Sequence, residues 1–155
     1  MRNRTWTLAL VAALAAVGCE TTPSTGVEGT FQLNVSIPVD ECTGQSSSFS
    51  AEVTIEREGD DVTFLFGDAA TLTGTIDTVS RIMTVEGTIL VDNPGGGTFP
   101  GFMHISEARV TEGSIVGLGT IRFEGTFPGV SGICTQHFNF TGQRLNLSPL
   151  PLTGS

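Results

Sequence analysis

The chain has 155 residues, with 16 acidic residues, seven arginines and no lysine, which gives a formal net charge of −9 at pH 7. A negative surface repels phosphate backbones and anionic lipid headgroups. The composition therefore disfavours nucleic acid as a partner and electrostatic adsorption to a membrane. The chain has no Tyr and only one Trp, so its aromatic character comes from ten Phe residues.

The first 18 residues have the composition of a secretory leader. Arg2 and Arg4 form a positively charged start, and an apolar run follows over residues 8–17. This run is too short to span a bilayer, which requires about 20 residues. It ends at Ala16-Val17-Gly18-Cys19, which resembles the lipobox of bacterial lipoproteins, with Ala16 where Leu is usual. The resemblance implies that residues 1–18 are a removed signal peptide and that Cys19 is the lipidated first residue of the mature chain. The alternative is an ordinary secretory signal with a cysteine near its cleavage site.

Residues 19–28 are predicted to be the lipidated cysteine and a flexible tether, because they are polar, rich in Thr and Ser, and without periodicity. Without the leader the chain keeps five arginines against 16 acidic residues, a formal charge of −11. Attachment to the membrane is therefore expected through acyl chains, each buried CH₂ contributing about 0.8 kcal/mol. Glu20 follows the cysteine. In enterobacterial lipoproteins Asp there favours inner-membrane retention, so the resemblance implies the outer membrane, on its periplasmic or surface face.

Strict alternation of apolar and polar residues predicts one all-β domain over residues 29–145, followed by a disordered tail over residues 146–155. Short connections favour an eight-stranded antiparallel up-and-down β-barrel, which closes its own edges. A β-sandwich with Greek-key connections is the alternative. The predicted strands span residues 31–37, 49–56, 62–66, 71–77, 82–91, 102–110, 114–124 and 132–144.

The start and the end of this domain resemble small meander barrels of the lipocalin and avidin kind. Lipocalins open their first strand with Gly-x-Trp, and this chain has Gly29-Thr30-Phe31. Many lipocalins also carry an arginine near the last strand that packs over that Trp, a part that Arg144 is placed to take. The resemblance implies that Phe31 and Arg144 close one end of the barrel.

Cys42 and Cys134 form an even pair in a chain that is expected to be exported, which predicts a disulfide. Closing a loop of about 90 residues stabilises a fold by roughly 4–5 kcal/mol in the chain-entropy model. The alternative is a metal site, which two thiols without nearby His or Cys partners make poorly. In a lipocalin-like barrel, such a disulfide would join the region beyond the first strand to the last strand.

Residues with catalytic or metal-binding chemistry are few and scattered. His104 shares a strand face with Phe102 and Ala108, whereas His137 lies opposite Phe138, and neither has a partner at metal-ligand spacing. We therefore expect no catalytic residue, no metal and no cofactor. Three strand carboxylates with the potential to point inward are more typical of a solvated face: Glu86, Glu107 and Glu124.

Two non-enzymatic functions stay open. The first is a non-enzymatic envelope lipoprotein that acts as a structural or protein-interaction module, its core filled by Phe. The alternative is a lipocalin-like barrel that binds a small apolar ligand, which an apolar interior cavity above about 300 Å³ would favour. The glycine-rich loop predicted over residues 93–101, with Phe99 and Phe102 at its end, is the candidate ligand or contact surface.

Overall fold

The computed structural model describes residues 26–38, 44–92, 98–127 and 130–145. The predicted leader, Cys19, most of the tether, Cys42 and the tail lie outside these residues. All regular secondary structure in the described ranges is β-strand. No helix within them has the length and apolarity needed to cross a membrane.

Eight strands form one closed antiparallel barrel in which each strand pairs with its neighbours in sequence and β8 pairs with β1. This confirms the predicted fold class and excludes the β-sandwich. The strands are β1 (Gly29–Ile37), β2 (Ser47–Glu58), β3 (Asp61–Phe66), β4 (Ala70–Asp77), β5 (Ile82–Asp92), β6 (Thr98–Thr111), β7 (Ser114–Phe127) and β8 (Val130–Arg144).

Tight turns join the strands at the end of the barrel where β1 begins and β8 ends. The β6–β7 turn places Glu112 at φ 51° and Gly113 at φ 82°. Two consecutive residues with positive φ match the twist of an antiparallel hairpin, which explains why a glycine stands here. In the β4–β5 turn, Asp77 Oδ1 accepts hydrogen bonds from the backbone N–H of Val79 and of Ser80. These contacts fix the two hairpins locally.

The interior is densely packed from the middle of the barrel to this same end, which we call the packed end. Alternate residues of each strand point inward, as period two requires. Large interior side chains exposed by 1% or less fill this half: Phe31, Leu33, Ile55, Phe64, Leu72, Met83, Ile105 and Ile115. The segment before β1 contributes to the same core, because Val27 is 1% exposed.

Strand β6 begins earlier than the sequence predicts. It starts at Thr98, which pairs with Asp92, and Pro100 pairs with Leu90, so the expected loop over residues 93–101 is wrong for its last four residues. The glycines favoured a loop, but β5 continues to Asp92 and offers backbone partners for the additional residues. Phe99 and Phe102 are therefore strand residues.

A β-bulge alters the expected face of one further residue. The register of β6 shifts between Ile105 and Glu107, so two residues there oppose one on β7. Ala108 consequently points inward and is fully buried, whereas His104 lies on the outer face. The prediction that His104 and Ala108 share a face was wrong because strict alternation does not hold across a bulge.

Candidate functional site

A cavity of about 600 Å³, partly open to solvent, occupies the half of the barrel opposite the packed end. We call this the cavity end, where β1 ends and β2 begins. All eight strands contribute to the wall, and β4 does so with its first residue, Ala70. Most of the side chains that line it are apolar, including Ile37, Phe49, Phe66, Ile89, Met103, Ile121 and Phe123.

Small side chains leave this half of the barrel hollow. Ala51 and Ala70 stand at interior positions where the packed half has Phe64 or Leu72. Gly101 lies opposite Phe123, and a Cβ at Gly101 would lie only 2.7 Å from Cε1 of that ring. Because the glycine has no side chain, the Phe123 ring lies against the wall and leaves the lumen free.

Two phenylalanines of β8 follow Gln136 in the interior row of that strand. Phe138 and Phe140 occupy consecutive interior positions, with ring centroids 6.3 Å apart and planes inclined by 29°. Each ring covers a glycine of β7: Phe138 pairs with Gly119, and Phe140 pairs with Gly117. A Cβ at Gly119 would lie 2.7 Å from the Phe138 ring and would overlap the carbonyl oxygen of His104. These glycines are required by the close approach of rings and backbone.

Gln136 contributes a polar group to the cavity wall. It occupies the interior position of β8 between Cys134 and Phe138, pairs with Ile121, and is half-buried. No hydrogen bond joins its side-chain amide to another residue in the described ranges. The amide therefore has donors and an acceptor available inside an apolar cavity.

The described lining of the cavity holds no positive charge. Glu52, an exposed residue of β2, is the one charged residue among the described lining residues, and that lining includes neither Arg nor His. A bound anion would therefore meet no positive side chain from this part of the chain.

The two phenylalanines proposed from sequence as a contact surface do not lie together in the cavity. Phe102 is on the outer face of β6, where it pairs with Arg122 and is 44% exposed. The backbone of Phe99 pairs with Val91 near the cavity end. The residues that build the cavity were missed, although period two places Gln136 on the same face as Phe138 and marks it as a polar residue in an apolar row.

The predicted disulfide falls partly outside the described residues. Cys134 is buried at 5% exposure on the interior face of β8, next to Gln136 in the interior row, and pairs with Phe123. Cys42 lies outside the described ranges, so its pairing with Cys134 stays a prediction.

The two histidines lie on the outer face, on strands separated by β7. His104 pairs with Thr120, and Thr120 pairs with His137. The described residues hold no group of three His, Cys, Asp or Glu side chains able to bind a metal ion. The strand carboxylates considered from sequence are all exposed and do not meet inside the barrel: Glu86, Glu107 and Glu124.

At the packed end, Arg144 closes the interior. Its guanidinium carbon lies 5.2 Å from the centroid of the Phe31 ring, and its Nη2 donates a hydrogen bond to the carbonyl oxygen of Gly26 at 2.7 Å. The segment that precedes β1 is thereby held across this end of the barrel.

Comparison of the chain with known protein families, curated proteins and solved structures found no match. The site is accordingly interpreted from its own geometry.

Proposed function

We propose that this protein is a non-enzymatic envelope lipoprotein whose barrel binds a small apolar ligand at the cavity end. The observation that carries the proposal is the apolar cavity of about 600 Å³. Pockets for small ligands in proteins have volumes of about 300–1,000 Å³ and are lined mainly by apolar side chains with a few polar groups. The cavity has this size and this composition, whereas a barrel that served only as a scaffold would need no hollow half.

Burial of apolar surface supplies the driving force. Transfer of apolar surface out of water contributes about 25 cal/mol per Å², and a ligand in the cavity would bury apolar surface against this wall. Phe49 points inward from β2 but is 48% exposed. A ligand beside Phe49 would cover this ring as well, which adds apolar contact at the entrance.

A neutral fluorescent probe tests the proposal directly. We expect N-phenylnaphthylamine to bind with increased fluorescence and saturation at one probe per chain. Ala70→Leu places added volume in the cavity and should weaken binding about tenfold, a change of about 1.4 kcal/mol. Thr71→Leu adds comparable volume on the exposed face of the same strand and is the matched control.

Ala51→Leu tests the same cavity from β2, two strands away around the barrel, and circular dichroism melting confirms that each variant is folded. Absence of probe binding to the wild-type protein would overturn the proposal. Equal binding by wild type, Ala70→Leu and Ala51→Leu would also overturn it, since the probe would then sit outside the cavity.

The proposed lipid anchor determines which end of the barrel faces the membrane. Val27 is buried and Gly26 is bonded to Arg144 at the packed end, so six residues, 20–25, separate Cys19 from the barrel. Six extended residues reach roughly 20 Å. The packed end would therefore stay close to the lipid surface, with the cavity facing away from it, and the ligand would exchange with the aqueous compartment.

Two measurements test the anchor. Cys19→Ala should move the protein from the membrane fraction to the soluble fraction, and a variant that stays in membranes would refute lipidation of Cys19. In vesicles containing nitroxide-headgroup lipid, a fluorophore at Val79, in the β4–β5 turn, should be quenched more than one at Asp68, in the β3–β4 turn. Equal quenching or the reverse order would refute the orientation.

A protein-interaction role is the second candidate, and exposed apolar residues on the outer face favour it. Leu90 is 59% exposed on β5 and Phe102 is 44% exposed on β6. Since Leu90 pairs with Pro100, these side chains are diagonal neighbours about 7–8 Å apart. Replacing Phe102 by Ser should abolish association with an envelope protein while leaving probe binding unchanged; Leu90 is kept in this variant because it also lines the cavity. Loss of probe binding would instead show that this surface holds the probe.

A further inference from the structure

We infer that the ligand is a neutral amphiphile that places an uncharged polar group on Gln136 and lays its apolar part against the rest of the cavity wall. This inference rests on the proposed function and adds the chemical class of the ligand. It depends on two observations: an amide without a hydrogen bond to another described residue stands in a largely apolar wall, and the described lining holds no positive charge.

Gln136 stands among apolar neighbours in the cavity wall. It pairs with Ile121, which pairs with Met103, and the next interior residue on β8 is Phe138, only 6% exposed. All three neighbours are apolar, so the amide is the polar group that this part of the wall offers to a ligand.

The amide has no hydrogen bond to another described residue, although apolar side chains surround it. Gln136 is half-buried and its amide is not among the buried unpartnered groups of the described residues, so water reaches it while the cavity is empty. A ligand that displaces this water without replacing its hydrogen bonds loses about 1–3 kcal/mol, whereas a ligand with a group that bonds to the amide avoids that loss.

An amide accepts through its oxygen and donates through its nitrogen, so it pairs with hydroxyl, carbonyl, ester and amide groups. It does not neutralise a charge. A carboxylate drawn into the cavity would lose its hydration without gaining a cationic partner from the described lining, whose one charged residue is Glu52. The formal charge of −9 on the chain adds to this repulsion. The one carboxylate of the described lining, Glu52, is exposed on the outer face of β2, so an ammonium group beside Gln136 gains no anionic partner from those residues either. An uncharged head is the chemistry that remains.

Competition against bound N-phenylnaphthylamine tests the inference with ligands of one chain length. The series comprises the alkane, the primary alcohol, the primary amide and the carboxylate, measured at about pH 8, where the carboxylate is ionised. We expect the alcohol and the amide to compete at concentrations about tenfold lower than the carboxylate, and severalfold lower than the alkane of the same length.

Gln136→Leu removes the amide and keeps an apolar wall. This variant should still bind the probe and the alkane, but its preference for the alcohol over the alkane should fall about three- to tenfold. Gln143→Leu is the matched control, because Gln143 lies on the outer face of the same strand. It should retain the wild-type preference.

The outcomes separate the two proposals. Probe binding with an unchanged preference in Gln136→Leu would overturn this inference and leave the proposed function standing. Tighter binding of the carboxylate than of the alcohol by the wild-type protein would overturn it too. If neither the probe nor any member of the series binds, the proposed function fails, and the inference fails with it.

Discussion

The guanidinium carbon of Arg144 lies 5.2 Å from the centroid of the Phe31 ring, and the two residues are paired across the seam between β1 and β8. The same guanidinium donates through Nη2 to Gly26. One side chain thus connects the first strand, the last strand and the segment before the barrel. The arrangement seals the packed end and lets the other end stay hollow.

Arg144→Ala should lower the free energy of unfolding by about 2–3 kcal/mol, because it removes a cation–π contact and a charge-assisted hydrogen bond. Arg144→Lys should lower it by less. Arg122→Ala is the control: Arg122 bonds to Glu124 at 2.7 Å, but both side chains are more than half exposed and such pairs contribute about 0–1 kcal/mol. Urea unfolding followed by far-UV circular dichroism measures all three. Equal losses at Arg144 and Arg122 would contradict a sealing role for Arg144.

Gly119→Ala should destabilise the barrel by about 1–3 kcal/mol, because the added methyl group would overlap the His104 carbonyl and press on the Phe138 ring. Gly26→Ala is the control, since a Cβ there meets only the flexible carboxylate of Glu28. Thermal unfolding of both variants checks the prediction. A Gly119→Ala variant as stable as the control would show that β6 and β7 move apart at little cost.

Ionised Asp77 should stabilise the folded protein, and this stabilisation should be lost in acid. Hydrogen bonds from the backbone and side chain of Ser80, and from the backbone of Val79, lower the pKa of Asp77 from its ordinary value of 3.8. Since the folded-state pKa is the lower one, the stabilisation is complete above pH 3.8 and disappears as the pH falls through the folded-state value.

Asp77→Ala should therefore have a lower melting temperature than the wild type at neutral pH, and the gap should close in strong acid. Asp68→Ala, at an exposed carboxylate in the β3–β4 turn, controls for the removal of one negative charge. A gap of constant size from neutral pH to about pH 2 would mean that the turn does not depend on the ionised carboxylate.

Cys42 and Cys134 should not react as free thiols. In the Cys19→Ala variant, we expect no titratable thiol in denaturant without reductant and two after reduction. The denaturant is needed because Cys134 is only 5% exposed, and a buried thiol would otherwise escape detection. Reduction should lower the free energy of unfolding by roughly 4–5 kcal/mol. Two thiols titrating before reduction would refute the pairing.

The eight strands were predictable from the alternation of apolar and polar residues, because period two reports directly which side chains share a face. Alternation predicted the wrong face or the wrong strand boundary where the backbone departs from a regular two-residue period. The bulge at Ile105–Glu107 turned Ala108 inward, and the pairing of Thr98 with Asp92 extended β6 into an expected loop. Both depend on the neighbouring strand and not on local residues.

What the sequence determined by itself is the set of strands, their inward faces, and the pairing of neighbours through short hairpins. Closure was decided only in three dimensions, because it depends on the register between Phe31 and Arg144, which are 113 positions apart in the chain. The tertiary structure also decided which half of the barrel is hollow. Ten Phe residues are enough to fill a barrel, but the level of each along the axis depends on the stagger of all eight strands. That stagger places Phe31 and Phe64 in the packed half and leaves Ala51 and Ala70 around the cavity.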